Sequence, residues 1–432
     1  MSNLSELLPT GGGQNAVDFV ASGTLSSGQT VILKSDGTVE AVTGVTEGVG
    51  TAVVFNNAST SFGDSGTDAV YDSTNNKVII AYRDVGSGDG TAIVGTVSGT
   101  SISFGTAVVF ETDVTSNIST VFDSTNNKIV IVYSEETVAG YGRAIVGTVS
   151  GTSISFGTAV NFENANSDEM SATFDSSANK VVIAYQDAGN SDYGTAIVGT
   201  VSGTSISFGT AVVFESASTN NLSATFDSNA NKVVIAYRDA GNLNYGTAKV
   251  GTVSGTSISF GSPVVFESAN TAYISATFDS NANKVVIAYR DIGNLNYGTI
   301  AVGTVSGTSI SFGSPIVFES AEANLISATF DSSANKVVIA YQDGGNSSYG
   351  TSIVFQNAST NVSNFIGITA GAISDTATGA VNVYGGINEA QTGLTIAADY
   401  YVQADGSLST TASDVKVGQA ISATTINMMD LT

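Results

Sequence analysis

Carboxylates and tyrosines recur along this chain at a fixed interval, and they are the side chains from which chemistry could be built. Asp84, Asp187, Asp239, Asp291 and Asp343 each close an apolar run of the type VVIAYRD, and Glu111, Glu163, Glu215, Glu267 and Glu319 each close a second run of the type AVVFE. Two carboxyls can hydrolyse a glycosidic bond, and converging oxygen ligands can hold Ca²⁺. Tyr141, Tyr193, Tyr245, Tyr297 and Tyr349, each followed by Gly or Gly-Thr, offer aromatic faces with a hydroxyl against which a sugar can stack. The candidate ligand-binding residues are therefore Asp187, Asp239, Asp291, Asp343, Tyr193, Tyr245, Tyr297 and Tyr349. The plain alternatives are solvated strand ends for the acids and packing between neighbouring sheets for the tyrosines.

Catalysis asks for more than abundance. Two carboxyls must sit in different environments so that one is protonated while the other is ionised. Near-identical repeats supply equivalent copies and no distinguished pair, so the chain reads as a non-enzyme. Arg83, Arg238 and Arg290 are copies of one position that Gln186 and Gln342 fill elsewhere, a poor basis for a sialidase-like arginine cluster. With no His and no Cys, neither a Ser-His triad nor a thiolate metal site can be assembled. No cofactor is expected; Ca²⁺ at the carboxylate rings is the one option left open, although no EF-hand spacing is present.

The elements that position these residues follow from the repeat. TVSGTSISF begins at Thr96, Thr148, Thr200, Thr252 and Thr304, a spacing of 52 residues, and an aromatic followed by Asp-Ser begins at Tyr71, Phe122, Phe174, Phe226, Phe278 and Phe330. One unit, taken as Leu222 to Glu267, reads as four strands: LSATFDS, KVVIAYRD, GTAKVGTVS and SISFGSPVVFE, joined by Asn- and Gly-rich turns. The second strand is apolar almost without alternation, which marks a strand covered on both faces. These features predict an all-β fold, a six-bladed β-propeller of four-stranded antiparallel blades over residues 47–360.

The last unit lacks TVSGTSISF. Its fourth strand is expected from Gly50 to Asn57, GTAVVFNN, which would close the ring on the sheet of Ile326 to Gln356. The connections from fourth strand to next first strand read TDVTSN, NANSDE, SASTNN, SANTAY and SAEANL, and are expected to be variable loops on one face of the ring. The turns SGTS and Asn-Lys (Lys77, Lys128, Lys180, Lys232, Lys284, Lys336) stay nearly constant on the other. Recognition belongs on variable loops held by a rigid scaffold, and relaxed drift is the alternative.

Composition sets the outer limits. The chain has 432 residues with 48 Gly and only 3 Pro, and 42% hydrophobic content fills a core, so its Ser/Gly/Thr richness does not mean disorder. A net charge of −24 repels nucleic acid and anionic membranes. No run is apolar enough to span a membrane, and MSNLSELLPTGGGQN lacks the basic and apolar regions of a secretion signal, so synthesis in a cytoplasm without such a signal is expected.

Outside the repeat, residues 1–15 read as an arm. Residues 16–46 and 361–432 read as one small discontinuous β domain, with a turn at Asp36-Gly37. The segments NFIGITAGAISDTATGAVNVYGGINEAQTGLT, ADYYVQADGSLSTTASDVKVGQAISATTI and SGTLSSGQTVILKSDGTVEAVTG resemble the flanking module of structural and tail-fibre-type proteins of tailed bacteriophages, especially those infecting marine bacteria. The chain departs from a typical fibre in having no coiled-coil heptads and no Gly-X-Y run. The resemblance implies a virion surface protein without cofactor, made in the host cytoplasm. It would be attached to other virion proteins through the small domain, homo-oligomeric on the particle, and able to display the propeller to a host-surface glycan or protein. A purely architectural capsid-decorating role and a bacterial surface lectin or adhesin are the alternatives.

Overall fold

The computed structural model describes residues 31–33, 39–41, 53–57, 60, 66–98, 101–357, 368–369, 381–382, 386–402, 408–410 and 416–428. The chain divides into two compact units, one of residues 1–52 with 99–101, the other of residues 53–98 with 102–432. In the first, Val31–Leu33 pairs antiparallel with Val39–Ala41. The arm of residues 1–15, the turn at Asp36-Gly37 and residues Gly50 to Ala52 lie outside the described residues.

The second unit is a long antiparallel array in which the repeat builds six successive sheets. In one sheet, Lys180–Asp187 pairs with Tyr193–Ser202, which pairs along its second half with Ser205–Phe208 and along its first half with Val212–Asp227. The same Val212–Asp227 strand then changes sheets, and its second half pairs with Lys232–Asp239. Each 16-residue strand, Val108–Asp123, Val160–Asp175, Val212–Asp227, Val264–Asp279 and Ile316–Asp331, thus closes one sheet and opens the next. The expected variable loops TDVTSN to SAEANL are accordingly not loops. They are the middles of continuous strands, because pairing with two different partners keeps the whole segment extended.

Burial explains why the strands stack. Val233, Val234, Ile235, Ala236 and Tyr237 are all fully buried, as the unbroken apolar run required. Val182, Ala184, Ala196 and Val198 of one sheet share a core with Phe214, Leu222, Val233, Ile235 and Tyr237 around the next. Each such large side chain, wholly buried, contributes about 1.5–3 kcal/mol. Phe214 sits between Tyr237 (5.3 Å between centroids) and Phe260 (5.6 Å), and its ring lies 2.6 Å from where a Cβ on Gly194 would stand. Gly142, Gly246 and Gly298, in the equivalent Tyr-Gly pairs, admit the corresponding Phe162, Phe266 and Phe318 rings.

The tight turns are equally local in origin. Asp175 Oδ1 accepts the N–H groups of Ser177 and Ala178, both at 2.9 Å, and Asn179 takes a φ of 55°, which Asn tolerates. This explains the aromatic-Asp-Ser marker and the constant Asn before Lys.

The last sheet holds the strands Ile316–Asp331, Lys336–Asp343 and Tyr349–Phe355. Val53 to Asn57 form no strand, so the fourth strand expected from Gly50 to Asn57 is not paired there among the described residues. As a consequence Tyr349 is 62% exposed and Gly350 has nothing within 4 Å of a Cβ position, whereas Gly194 meets the Phe214 ring. Toward the C-terminus a further five-stranded sheet runs in the order Ile387–Asn388, Ile426–Asn427, Lys416–Ala420, Asp399–Val402, Leu408–Ser409. Its core is Leu394, Tyr400, Val417, Ala420, Ile426 and Met428.

Candidate functional site

Where each long strand changes sheets it must bend, and the bend falls on one residue per repeat. Asn117, Glu169, Asn221, Tyr273 and Leu325 have φ of 49°, 52°, 50°, 50° and 49°. The pairing register shifts at the same place, between Asn220 and Ser223 for example, because the strand leaves one ladder for another. Asn suits this conformation; Tyr and Leu do not, so their presence costs stability.

Side chains of one bend hold the backbone of the next. The N–H of Glu169 donates to Asn117 Oδ1 (3.3 Å), that of Asn221 to Glu169 Oε2 (2.8 Å), and that of Tyr273 to Asn221 Oδ1 (2.8 Å). A parallel series runs just beyond the bends, with the N–H groups of Ala172, Ala224, Ala276 and Ala328 donating to the hydroxyls of Ser119, Ser171, Ser223 and Ser275. Neighbouring first strands therefore approach closely enough for single side chains to bridge them.

These bends line a cavity. Glu169, Asn221 and Tyr273 contribute its polar rim and Met170, Leu222, Ile274 and Ile326 its apolar wall, around a space of about 140 Å³. The wall residues are the ones that follow each bend. The concavity is small, and the polar groups of the bends make up most of its accessible lining.

Beside the cavity, a second position changes from sheet to sheet. Ser134, Gln186, Arg238, Arg290 and Gln342 occupy equivalent places near the ends of the central strands, and Ser134, Gln186 and Arg290 reach the next sheet. Gln186 donates to Thr219 O at 2.7 Å and Ser218 Oγ at 3.3 Å. Arg290 bonds Glu322 Oε1 at 3.2 Å and Asn324 Oδ1, with its guanidinium 4.7 Å from the centroid of the Tyr273 ring. Asn117 instead donates to Asp168 Oδ1 at 3.0 Å in a carboxylate-amide cluster that Asn166 completes at 2.8 Å. The scaffold is constant and the chemistry at this edge is not.

The residues singled out from the sequence divide in two. Asp187, Asp239, Asp291 and Asp343 are 8%, 7%, 7% and 9% exposed, so they are not solvated strand ends. They begin the 3₁₀ turns Ala188–Asn190, Ala240–Asn242, Ile292–Asn294 and Gly344–Asn346, and Asp291 Oδ1 accepts the Asn294 N–H at 3.0 Å. Burial raises the pKa of Asp187, Asp239 and Asp291, with the nearby Glu163 and Glu215 carboxylates adding to it for the first two. Tyr193, Tyr245, Tyr297 and Tyr349 stand opposite those aspartates in register. The first three are half-buried and Tyr349 is exposed. The loops that carry them lie beside the bends, since Thr219 and Thr271 donate backbone bonds to Asp192 O and Asn244 O, each at 3.1 Å.

The glutamates are inter-sheet staples. Glu111, Glu163, Glu215, Glu267 and Glu319 accept from the hydroxyls of Tyr133, Tyr185, Tyr237, Tyr289 and Tyr341 at 2.9, 3.2, 2.9, 2.9 and 2.8 Å. Arg143 adds an ion pair to Glu111 at 2.6 Å, and Lys249 stands 3.8 Å from Glu215. Burial, then the facing carboxylate, pushes the Tyr133, Tyr185, Tyr237 and Tyr289 hydroxyls up, so they remain donors. Among the described residues no three Asp or Glu converge as a metal site, and no helix is long and apolar enough to cross a membrane.

Sequence reading missed the bend residues themselves. The signal was available: each variable hexapeptide ends at the bend, and the next residue, Ile118, Met170, Leu222, Ile274 or Ile326, is always apolar.

No protein-family model and no curated protein matches the chain. Among solved structures it is similar to the BP39L lectin from Burkholderia pseudomallei, at 11% identity over 80% of this chain and 94% of that one, with a TM-score of 0.50. It also resembles AofleA from Arthrobotrys oligospora (8% identity, 68% and 83% covered, TM-score 0.44) and the Hadza microbial sialidase Hz136 (9%, 68% and 66%, TM-score 0.44). At these identities the likeness is one of fold, and the lectin match agrees with an all-β array of repeated antiparallel sheets.

Proposed function

We propose that the chain is a non-enzymatic, glycan-binding β-propeller whose ligand site is formed by the bends of its long strands. The observation that carries this reading is the cavity at Glu169, Asn221 and Tyr273, where residues of different chemistry stand at equivalent positions over a shared apolar wall. Carboxylate, amide and aromatic ring side by side can hydrogen-bond sugar hydroxyls and stack on a sugar face. The lectin among the solved structures of similar fold supports the ligand class. The acids offer no pair suited to hydrolysis, since each Glu of the repeat is engaged by a tyrosine and Asp187, Asp239, Asp291 and Asp343 each begin a 3₁₀ turn.

The six sheets are the blades, and the segment that carries Phe55 would close the last one. Phe55 supports this closure: it packs on Tyr82 and Phe104 as Phe110 packs on Tyr133 and Phe156, with the open Gly350 as its other socket. The resemblance of the flanking segments to phage tail-fibre-type proteins is what supports a place on a virion surface, attached to other virion proteins and repeated in several copies. A glycan array with the purified chain tests binding, and adsorption to host cells tests display. A chain that binds no glycan and neither adsorbs to cells nor blocks infection leaves only an architectural role.

A further inference from the structure

Internal comparison of the sheet junctions separates them by how the polar side chain at each is engaged. At the junction after Arg290, the guanidinium Nη1 is bonded within the chain by Glu322 and Asn324, and the group stacks on Tyr273. At the junction after Gln186, the amide is satisfied by Ser218 and the Thr219 carbonyl. The junction after Arg238 carries Asn270 where the others carry Glu322 and Ser218, and Ala272 where the next carries Asn324. Among the described residues the Arg238 guanidinium has no acceptor, as is true of Arg83, and its Nε is buried without a partner like those of Arg83, Arg143 and Arg290; only at the Arg238 junction is an amide oxygen, Asn270 Oδ1, buried and unbonded as well. A buried guanidinium N–H and a buried amide oxygen left unbonded each forfeit the desolvation they paid on folding.

Resting on the glycan-binding reading, we infer that the Arg238 junction is a subsite for the acidic group of a sugar, a carboxylate or a sulfate ester. A guanidinium fork matches such an oxyanion bidentately. Asn270 then serves a hydroxyl of the same ring. Tyr245, opposite Asn270 in register and half-buried, borders the site. Ala272 stands where the next junction has Asn324, so no side-chain amide competes for the Arg238 guanidinium from that position. Attraction matters here because the chain carries a net charge of −24, so an anionic ligand needs one uncompensated cation at the point of contact.

The test is ligand-observed NMR on the full chain with D-glucuronate, glucose 6-sulfate, D-glucose and inorganic sulfate. Either acidic sugar is expected to bind at least tenfold more tightly than glucose and than inorganic sulfate. Arg238→Gln, a residue the sister sheets tolerate, and Ala272→Asn, which rebuilds the Arg290 arrangement, should each abolish that preference. The converse pair Glu322→Asn with Asn324→Ala should add a second acidic site. Unchanged acidic-sugar binding in both Arg238→Gln and Ala272→Asn overturns the inference, as does inorganic sulfate binding equal to that of the sugars. Glycan binding that persists without any acidic preference removes this subsite alone; loss of all glycan binding removes the reading beneath it.

Discussion

Phe55 stands edge-on to Tyr82, with 5.2 Å between ring centroids and 67° between planes, the contact that Phe162 makes with Tyr185 at 5.2 Å and 64°. In the inner sheets the same phenylalanine also fills the space over a glycine of its own sheet, Phe162 over Gly142 and Phe214 over Gly194. Phe55 makes the first contact, and Gly350 is the glycine left for the second.

Closure of the ring is therefore readable from one methyl group. Gly194→Ala drives a Cβ into the Phe214 ring and should cost about 1–3 kcal/mol. Gly350→Ala should cost a similar amount if the segment carrying Phe55 completes the last blade. Chemical denaturation of both variants checks this, and a neutral Gly350→Ala beside a damaging Gly194→Ala means an open last sheet.

The tyrosine staples differ in what remains when the hydroxyl is lost. Tyr237→Phe leaves Glu215 with Lys249 close by, whereas Tyr289→Phe leaves Glu267 half-buried without a hydroxyl donor. Tyr289→Phe should cost about 1–3 kcal/mol and Tyr237→Phe less, measured by urea unfolding.

Strain at the bends predicts a gain. Leu325 sits at a φ of 49° and is 48% exposed, so Leu325→Asn gives up little packing and relieves a conformation that leucine resists. A stabilisation of about 0.5–1 kcal/mol is expected in the same assay.

The pH dependence follows from the raised carboxyls. Asp187, Asp239, Asp291 and Glu267 are all pushed up, first by burial. In the range just above ordinary carboxylate values the folded chain holds protons that the unfolded chain has lost. Their contribution is therefore complete below the ordinary values and falls as pH rises through the raised ones. Asp331, lowered by its Ser333 and Ala334 hydrogen bonds, acts in the opposite sense and loses its contribution only as pH falls. Repulsion within a chain of net charge −24 adds to the first effect. Thermal unfolding should show a higher midpoint at roughly pH 5.5 than at pH 8.

Much of the architecture was legible because it was repeated. The apolar runs identified central strands such as Lys232–Asp239, and the Asp of Phe-Asp-Ser and the Asn before Lys marked turns whose hydrogen bonds are made within three residues. The site was less legible because its residues are set by relations between sheets. Asp239 ends a strand in sequence, but only the 3₁₀ turn behind it shows that its carboxylate is turned inward. SASTNN and SANTAY have the composition of loops, and only pairing with two partners makes them strands that bend at Asn221 and Tyr273. The solitude of Arg238 depends on Asn270 and Ala272, more than thirty residues away.

The most direct measurement is titration calorimetry of the full chain and two cavity variants against the best glycan from an array. Tyr273→Asn removes the ring while keeping a residue suited to the bend, and Glu169→Gln keeps an acceptor for the Asn221 N–H while removing the charge. Glycan binding at the bends predicts that both variants keep their thermal midpoint within a few degrees and bind at least tenfold more weakly. Undiminished affinity in both contradicts it.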